Sequence, residues 1–519
     1  MNQNIERIRP SVNWGGKSKR VSLLLVVALM LSLALPLASD SAVEFDPTSR
    51  LQPLLLEMAA QQPDQLISVI VQKAVEDDRV EKAVSALGGH VTLDLSIINA
   101  FVATLPVHDA VQLTRLNGVR WVSLDAPMVS TDCTLDCLTT DVSLKNAYVK
   151  TINANKVWFA APTRQGTGVS VAVLDAGVNW QTDLYTKYGQ NRVIASVRFN
   201  TDYNQTTFDN FGHGSHIAGI VAGNGTSSNG KYIGVAPNAN IINVKVSNDD
   251  GSTTTSKVVA GMQWILANKA QYNIRVVNLS LNSTVSESYH TNPIDAAAEI
   301  LWFNGIVVVV SAGNNGNGGI YPPANDPFVI TVGSTDDKAT QNLSDDTIAT
   351  FSAYGTTQDG FAKPDLVAPG QNIISLMGNT NGVIPTQHPA NRVDNVYFRM
   401  SGTSMSAPMV AGAAALLLED EPNLNPDQVK YRLMATANNT WPGYSATQAG
   451  AGIVDVYAAL NSTTTQTANT GTIASQLLWT GTTPPPWGSV QWGSVQWGSV
   501  QWGSVQWGSV QWGSDYWGP

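Results

Sequence analysis

Ser401-Gly402-Thr403-Ser404-Met405-Ser406-Ala407-Pro408 is followed within two residues by the small, apolar Ala411-Gly412-Ala413-Ala414-Ala415-Leu416-Leu417-Leu418. A helix that is apolar all round is a buried one. A hydroxyl at its start lies where unpaired backbone N–H groups and the positive end of the helix dipole face any developing negative charge. Read alone, the segment is equally a Ser/Thr helix cap and nothing more. Val171-Ala172-Val173-Leu174-Asp175-Ala176-Gly177-Val178 reads as a buried strand that ends in a carboxylate and a turn glycine. By itself it also fits an Asx turn. His213-Gly214-Ser215-His216-Ile217-Ala218-Gly219 opens a second helix of small residues with His213 in its first turn, where a histidine can simply cap or pack.

These blocks sit in a regular alternation. Residues 169–174, 241–246, 276–281, 306–310 and 329–332 are β-branched runs, and residues 254–268, 295–304 and 405–419 carry helical patterning. Asn425-Pro426 supplies a cap and a first-turn proline for a further helix over 427–437. Strand-helix alternation predicts an α/β fold with a mostly parallel central sheet covered on both faces, and ligands at the carboxyl ends of its strands. Asp175, Leu281 and Asn314 fall at such ends.

Asp, His and Ser in that chain order follow the subtilisin arrangement of the serine-protease triad. With all three blocks present, residues 145–461 resemble the subtilisin (peptidase S8) family. The resemblance implies a three-layer fold and assigns Ser404 as nucleophile, His213 as general base and acid, and Asp175 as the carboxylate that orients it. Ile306-Val307-Val308-Val309-Val310-Ser311-Ala312-Gly313-Asn314 resembles the family segment ending in the oxyanion-hole asparagine, so Asn314 would donate beside the Ser404 backbone N–H. Ser280, Leu281 and Asn282, with Ala312 and Gly313, would bind an extended polypeptide substrate as an added strand. Relatives carry glycine where Asn282 stands. Its side chain, with Ile320 near the pocket floor, predicts a shallower slot for the residue before the cut.

Competing chemistries fit less well. His213 and His216 are three apart with glycine and serine between them, not the four-residue spacing with glutamate of a zinc helix, so the expected metal set is none. The sedolisin type of this fold replaces the histidine by glutamate; a retained His213 implies a base that works at near-neutral or alkaline pH. A binding-only pseudoenzyme would lack a triad member. The chemistry needs no cofactor. Structural calcium is an expectation of the resemblance alone, with no ligand run in the sequence. A formal charge of −10 argues against nucleic acid as a partner.

The flanks are expected to carry export and regulation. Arg7, Arg9, Lys17, Lys19 and Arg20 precede an apolar run over 21–37 and a small, polar Ala38-Ser39-Asp40-Ser41. That is the layout of a secretory signal within residues 1–41; the alternative is a membrane anchor through 21–37, a run shorter than the roughly 20 residues that span a bilayer. Cys133 and Cys137, the only cysteines, suit a small disulfide in an oxidising compartment.

Residues 60–128 read as strand 66–71, helix 76–87, two strands over 90–105, helix 108–116 and strand 119–124. That order is a ferredoxin-like α+β unit, resembling the inhibitory propeptide of secreted subtilisins, with a cut expected between Asp125 and about Lys145. Residues 462–519 form a low-complexity tail with Trp-Gly-Ser-Val-Gln repeats. It is open to three readings: a loose extension, a contact for a cell surface or partner through its indoles, or an export tag.

Overall fold

The computed structural model describes residues 50–131, 146–202, 205–478 and 495–496. The expected signal segment, Cys133, Cys137 and nearly all of the repeat tail lie outside them. Among the described residues no helix is long and apolar enough to cross a membrane.

The first module consists of α1 (Pro53–Gln61), β1 (Leu66–Lys73), α2 (Arg79–Ala86), β2 (His90–Leu95), β3 (Ala100–Pro106), α3 (Val107–Leu113) and β4 (Val119–Leu124); β5 (Pro127–Ser130) then leaves it. Its antiparallel sheet has the order β2-β3-β1-β4. Side chains alternate along a strand, and here both faces are used. Val69, Val71, Phe101, Ala103 and Leu105 join the module's own core, whereas Ile70, Ala100 and Val102 join the core of the larger domain. Burial on both faces explains why 66–71 and 100–105 read as near-continuous apolar runs. Helix α1 was not legible from the sequence, and α2 begins at Arg79 rather than 76, because 76–78 form an acidic turn.

The larger domain runs β6 (Ser170–Asp175), β7 (Val193–Arg198), α4 (Gly214–Ala222), β8 (Asn240–Lys245), β9 (Thr253–Thr254), α5 (Thr255–Tyr272), β10 (Ile274–Leu279), β11 (Leu281–Ser283), α6 (Pro293–Phe303), β12 (Val307–Ser311), β13 (Ile330–Asp336), β14 (Thr347–Ile348), β15 (Leu366–Pro369), α7 (Thr403–Asp420) and α8 (Pro426–Ala435). The central sheet has the order β14-β13-β12-β10-β6-β8-β7, with β15 also on β13, and is parallel except at β14. Val276 pairs with both Val171 and Val307. Two helix pairs, α4 with α7 and α5 with α6, cover the sheet, so its central strands are buried throughout. β7 and β15 escaped the sequence reading: the first is a partly exposed edge strand with polar residues, the second four residues ending in proline. α8 starts with a full capping box, Asn425 to the Gln428 N–H and Gln428 back to the Asn425 N–H.

The first module rests on α5 and α6. The Gln263 side chain on α5 accepts from the Ile97 N–H at 3.0 Å. Asp125 accepts from the Ser256 N–H and hydroxyl, both at 2.8 Å, and so caps the start of α5.

The ordered chain continues beyond the domain boundary expected at residue 461. Ser475 donates its N–H to the buried Glu299 carboxylate, Tyr289 donates to the Ile473 carbonyl at 2.6 Å, and Leu477 and Leu478 are buried in the main core. From the first module, Arg120 donates to the carbonyls of Gln476 and Leu478, and Gln72 to that of Leu477. Residues 472–478 thus touch both units. Truncating a buried leucine costs about 2–5 kcal/mol, so Leu477→Ala is expected to lower urea stability of the full chain by that amount. A loosely attached segment would give no change.

Candidate active site

Asp175 is the last residue of β6, His213 the N-cap of α4, and Ser404 the second residue of α7. Helix α4 packs on α7. The His213 ring nitrogen Nδ1 lies 2.8 and 2.9 Å from the two Asp175 oxygens. A carboxylate only accepts, so Nδ1 carries the hydrogen and, in the neutral ring, Nε2 holds the lone pair. Gly214 permits this approach, since a Cβ there would lie 2.2 Å from the Gly177 carbonyl and 3.1 Å from Asp175 Oδ1. Asp209 accepts from the Gly212 and Ser215 N–H groups at 2.6 and 2.8 Å, shaping the turn into His213. Burial raises the pKa of Asp209.

His216 is buried one helical turn on, and its Nε2–H donates to the Phe398 carbonyl at 3.1 Å. Burial, and secondarily the neighbouring His213, push its pKa down to about 3, so it stays neutral through the range in which an imidazole base works. Among the described residues no three His, Cys, Asp or Glu side chains converge where a metal ion could be held.

Ser404 is entered through Gly402, whose φ of +151° and ψ of 161° are open only to glycine. The Thr403 N–H and hydroxyl donate to Asn314 Oδ1 at 2.9 and 3.0 Å. Two donors on the oxygen fix the amide so that its NH2 points the other way. That group donates to the carbonyl of Thr131, and the Ser404 N–H donates to the same oxygen at 3.2 Å. Ser404 Oγ lies 2.7 Å from Thr131 Oγ1 and donates to the Ser280 carbonyl at 3.3 Å. Ser280 in turn donates its hydroxyl to the Ser404 carbonyl.

The chain around Thr131 therefore occupies the cleft. β5 is the middle strand between β11 and β9, antiparallel to both, with Ser130 opposite Leu281, Val129 opposite Asn282 and Met128 opposite Ser283. Beneath it Asp175, His213 and Ser404 are buried. A cavity of about 320 Å³ next to Thr131 is lined by Asn282, Gly313, Asn314, Asn315 and Tyr321. Tyr321, not Ile320, forms its wall; Ile320 is packed in the core. Asn282 donates to the Ser311 carbonyl at 3.2 Å, and Ala312 is buried. Thr131, Thr403, Ser311 and Asp209 were not singled out by sequence reasoning. Thr403 and Ser311 stood inside quoted blocks, but nothing local distinguishes a cap or strand-end hydroxyl that holds a neighbour's amide.

The parallel sheet thus carries a carboxylate at a strand end and a histidine and a serine at two helix starts. The subtilase (peptidase S8) family model matches residues 166–455. The chain belongs to this family, and by that membership is a serine-type endopeptidase. It is 41% identical over 316 residues to the serine protease AprX of Bacillus subtilis strain 168, covering 58% of this chain and 68% of the relative. It is 34% identical over 313 residues to subtilisin DY of Bacillus licheniformis, covering 59% and 96% respectively. Among solved structures, fervidolysin from Fervidobacterium pennivorans, a keratinolytic enzyme related to subtilisin, aligns with a TM-score of 0.61 and 26% identity over 78% of this chain and 62% of its own.

Proposed function

We propose that this chain is an exported endopeptidase made as a self-inhibited precursor, with Asp175, His213 and Ser404 as its triad and the Asn314 amide and Ser404 N–H as its oxyanion donors. The observation that carries this reading is the Thr131 carbonyl, which receives both donors at once above a buried Asp175–His213 pair. In the reaction Ser404 Oγ bonds to the substrate carbonyl carbon while His213 Nε2 takes its proton. Negative charge collects on the oxygen held by the two donors, whose positions cost no reorganisation. His213 then delivers the proton to the leaving amine, and water releases the acyl group by the same steps in reverse. Asp175 stabilises the imidazolium at each stage.

Inhibition follows from geometry. A segment paired on both sides by β11 and β9 excludes any other polypeptide, and the first module anchors it through Asp125 on α5. Export is supported by the layout of residues 1–41. A fluorophosphonate reagent is expected to label the processed protein at Ser404 and not the intact precursor. Labelling at another residue, or none after processing, would overturn the assignment.

A further inference from the structure

We propose that the chain cuts itself at the bond between Thr131 and Asp132, and that Ser311 makes the site select a threonine-sized hydroxyl side chain before the cut. This rests on the protease reading above and adds the bond and the specificity to it.

The register places the bond. Antiparallel pairing of Met128, Val129 and Ser130 with Ser283, Asn282 and Leu281 is continued by the Thr131 N–H, which donates to the Ser280 carbonyl at 3.2 Å. The next carbonyl along the strand is that of Thr131, and it is the one gripped by the Asn314 amide and the Ser404 N–H. A slip by one residue would turn every side chain to the opposite face. It would expose Met128, which is 1% exposed, and bury Val129, which is 49% exposed. Met128 thus anchors the phase of the strand, and the carbonyl three residues on is the one held by the two donors.

The side chain of Thr131 sets the preference. Its hydroxyl donates to Ser311 Oγ at the end of β12 at 2.6 Å, with the Ser280 carbonyl 3.3 Å away. Ser311 is fully buried, so an apolar side chain beside it would leave its hydroxyl without this partner. Asn282 adds a second polar demand: its Oδ1 is buried with no hydrogen-bond partner, 3.5 Å from where a Cβ on Gly313 would sit. This wall is an amide, which favours polar over large apolar occupants.

In the step itself Ser404 Oγ forms an ester with the Thr131 carbonyl carbon, and the C–N bond to Asp132 breaks. The serine proton passes through His213 to the new Asp132 amine. Water then hydrolyses the ester, leaving a Thr131 carboxylate and a regenerated Ser404 hydroxyl.

The test uses the full chain and reads the carboxyl end of the released fragment by mass spectrometry, beside caseinolysis of the same sample. A fragment ending at Thr131, absent from Ser404→Ala, is the expected result. An enzyme that digests casein but releases a fragment ending elsewhere would sink the proposed bond and leave the protease reading intact. No fragment and no caseinolysis would remove both.

For specificity, synthetic peptides carrying Pro-Met-Val-Ser-Thr or Pro-Met-Val-Ser-Val before the cut differ only in hydroxyl against methyl. The processed enzyme is expected to favour threonine by about tenfold in kcat/KM, the worth of one hydrogen bond, and Ser311→Ala to bring that ratio close to one. Equal rates in the unaltered enzyme, or a ratio untouched by Ser311→Ala, would overturn the role of Ser311.

Discussion

Replacing Ser404 with alanine is expected to abolish peptide hydrolysis and leave the first module joined to the rest of the chain. The loss should approach the about 10⁶-fold in kcat that removal of this serine causes in subtilisin itself, a value that belongs to that relative. The physical reason is that Ser404 Oγ is the atom set to bond with the carbonyl carbon, and the remaining parts polarise that carbonyl without attacking it. The Ser404 N–H stays in place, so binding of the segment over 127–131 should persist. Quantifying intact precursor on a gel, with turnover of a peptide substrate, checks both halves. Activity within tenfold of the unaltered chain would mean that another nucleophile does the work.

Asn314→Ala is expected to lower kcat by about 10²–10³ with little change in KM, the usual cost of one oxyanion donor. The amide meets the oxygen most strongly when it carries charge, so its loss falls on the chemical step. The structure also separates the donor from its mounting. Thr403 holds Asn314 Oδ1 through its N–H and its hydroxyl, and that hydroxyl also accepts from the Gly313 N–H at 3.1 Å. Thr403→Val keeps the amide and removes one of its two supports, and should cost about tenfold, a single hydrogen bond. A Thr403→Val loss equal to that of Asn314→Ala would show that both act by disturbing the loop rather than by charge stabilisation.

Much of the larger domain was legible because its signals are local. A strand buried on both faces must be β-branched and apolar along its length, as β6, β10 and β12 are, and a helix in tight contact with a sheet must be small-residued, as α4 and α7 are. The proposed site residues then show up as polar interruptions at the ends of these runs, which is where Asp175, His213, Asn314 and Ser404 stand. Short or mixed elements carry no such signal, and α1, β7 and β15 were missed for that reason. Ile320 packs into the core while Tyr321 lines the cavity beside Thr131, a choice of backbone direction that a loop sequence does not fix.

The sequence by itself determined the layers of the fold and the residue types at its strand and helix ends, because each follows from burial and capping within a few residues of chain. Only the tertiary structure decided what fills the cleft and what braces the tail. Thr131 meets Asn314 across 183 residues and Ser404 across 273, and Gln72 meets Leu477 across 405. Such contacts depend on strand pairing and helix docking between distant segments, and no periodicity along the chain encodes them.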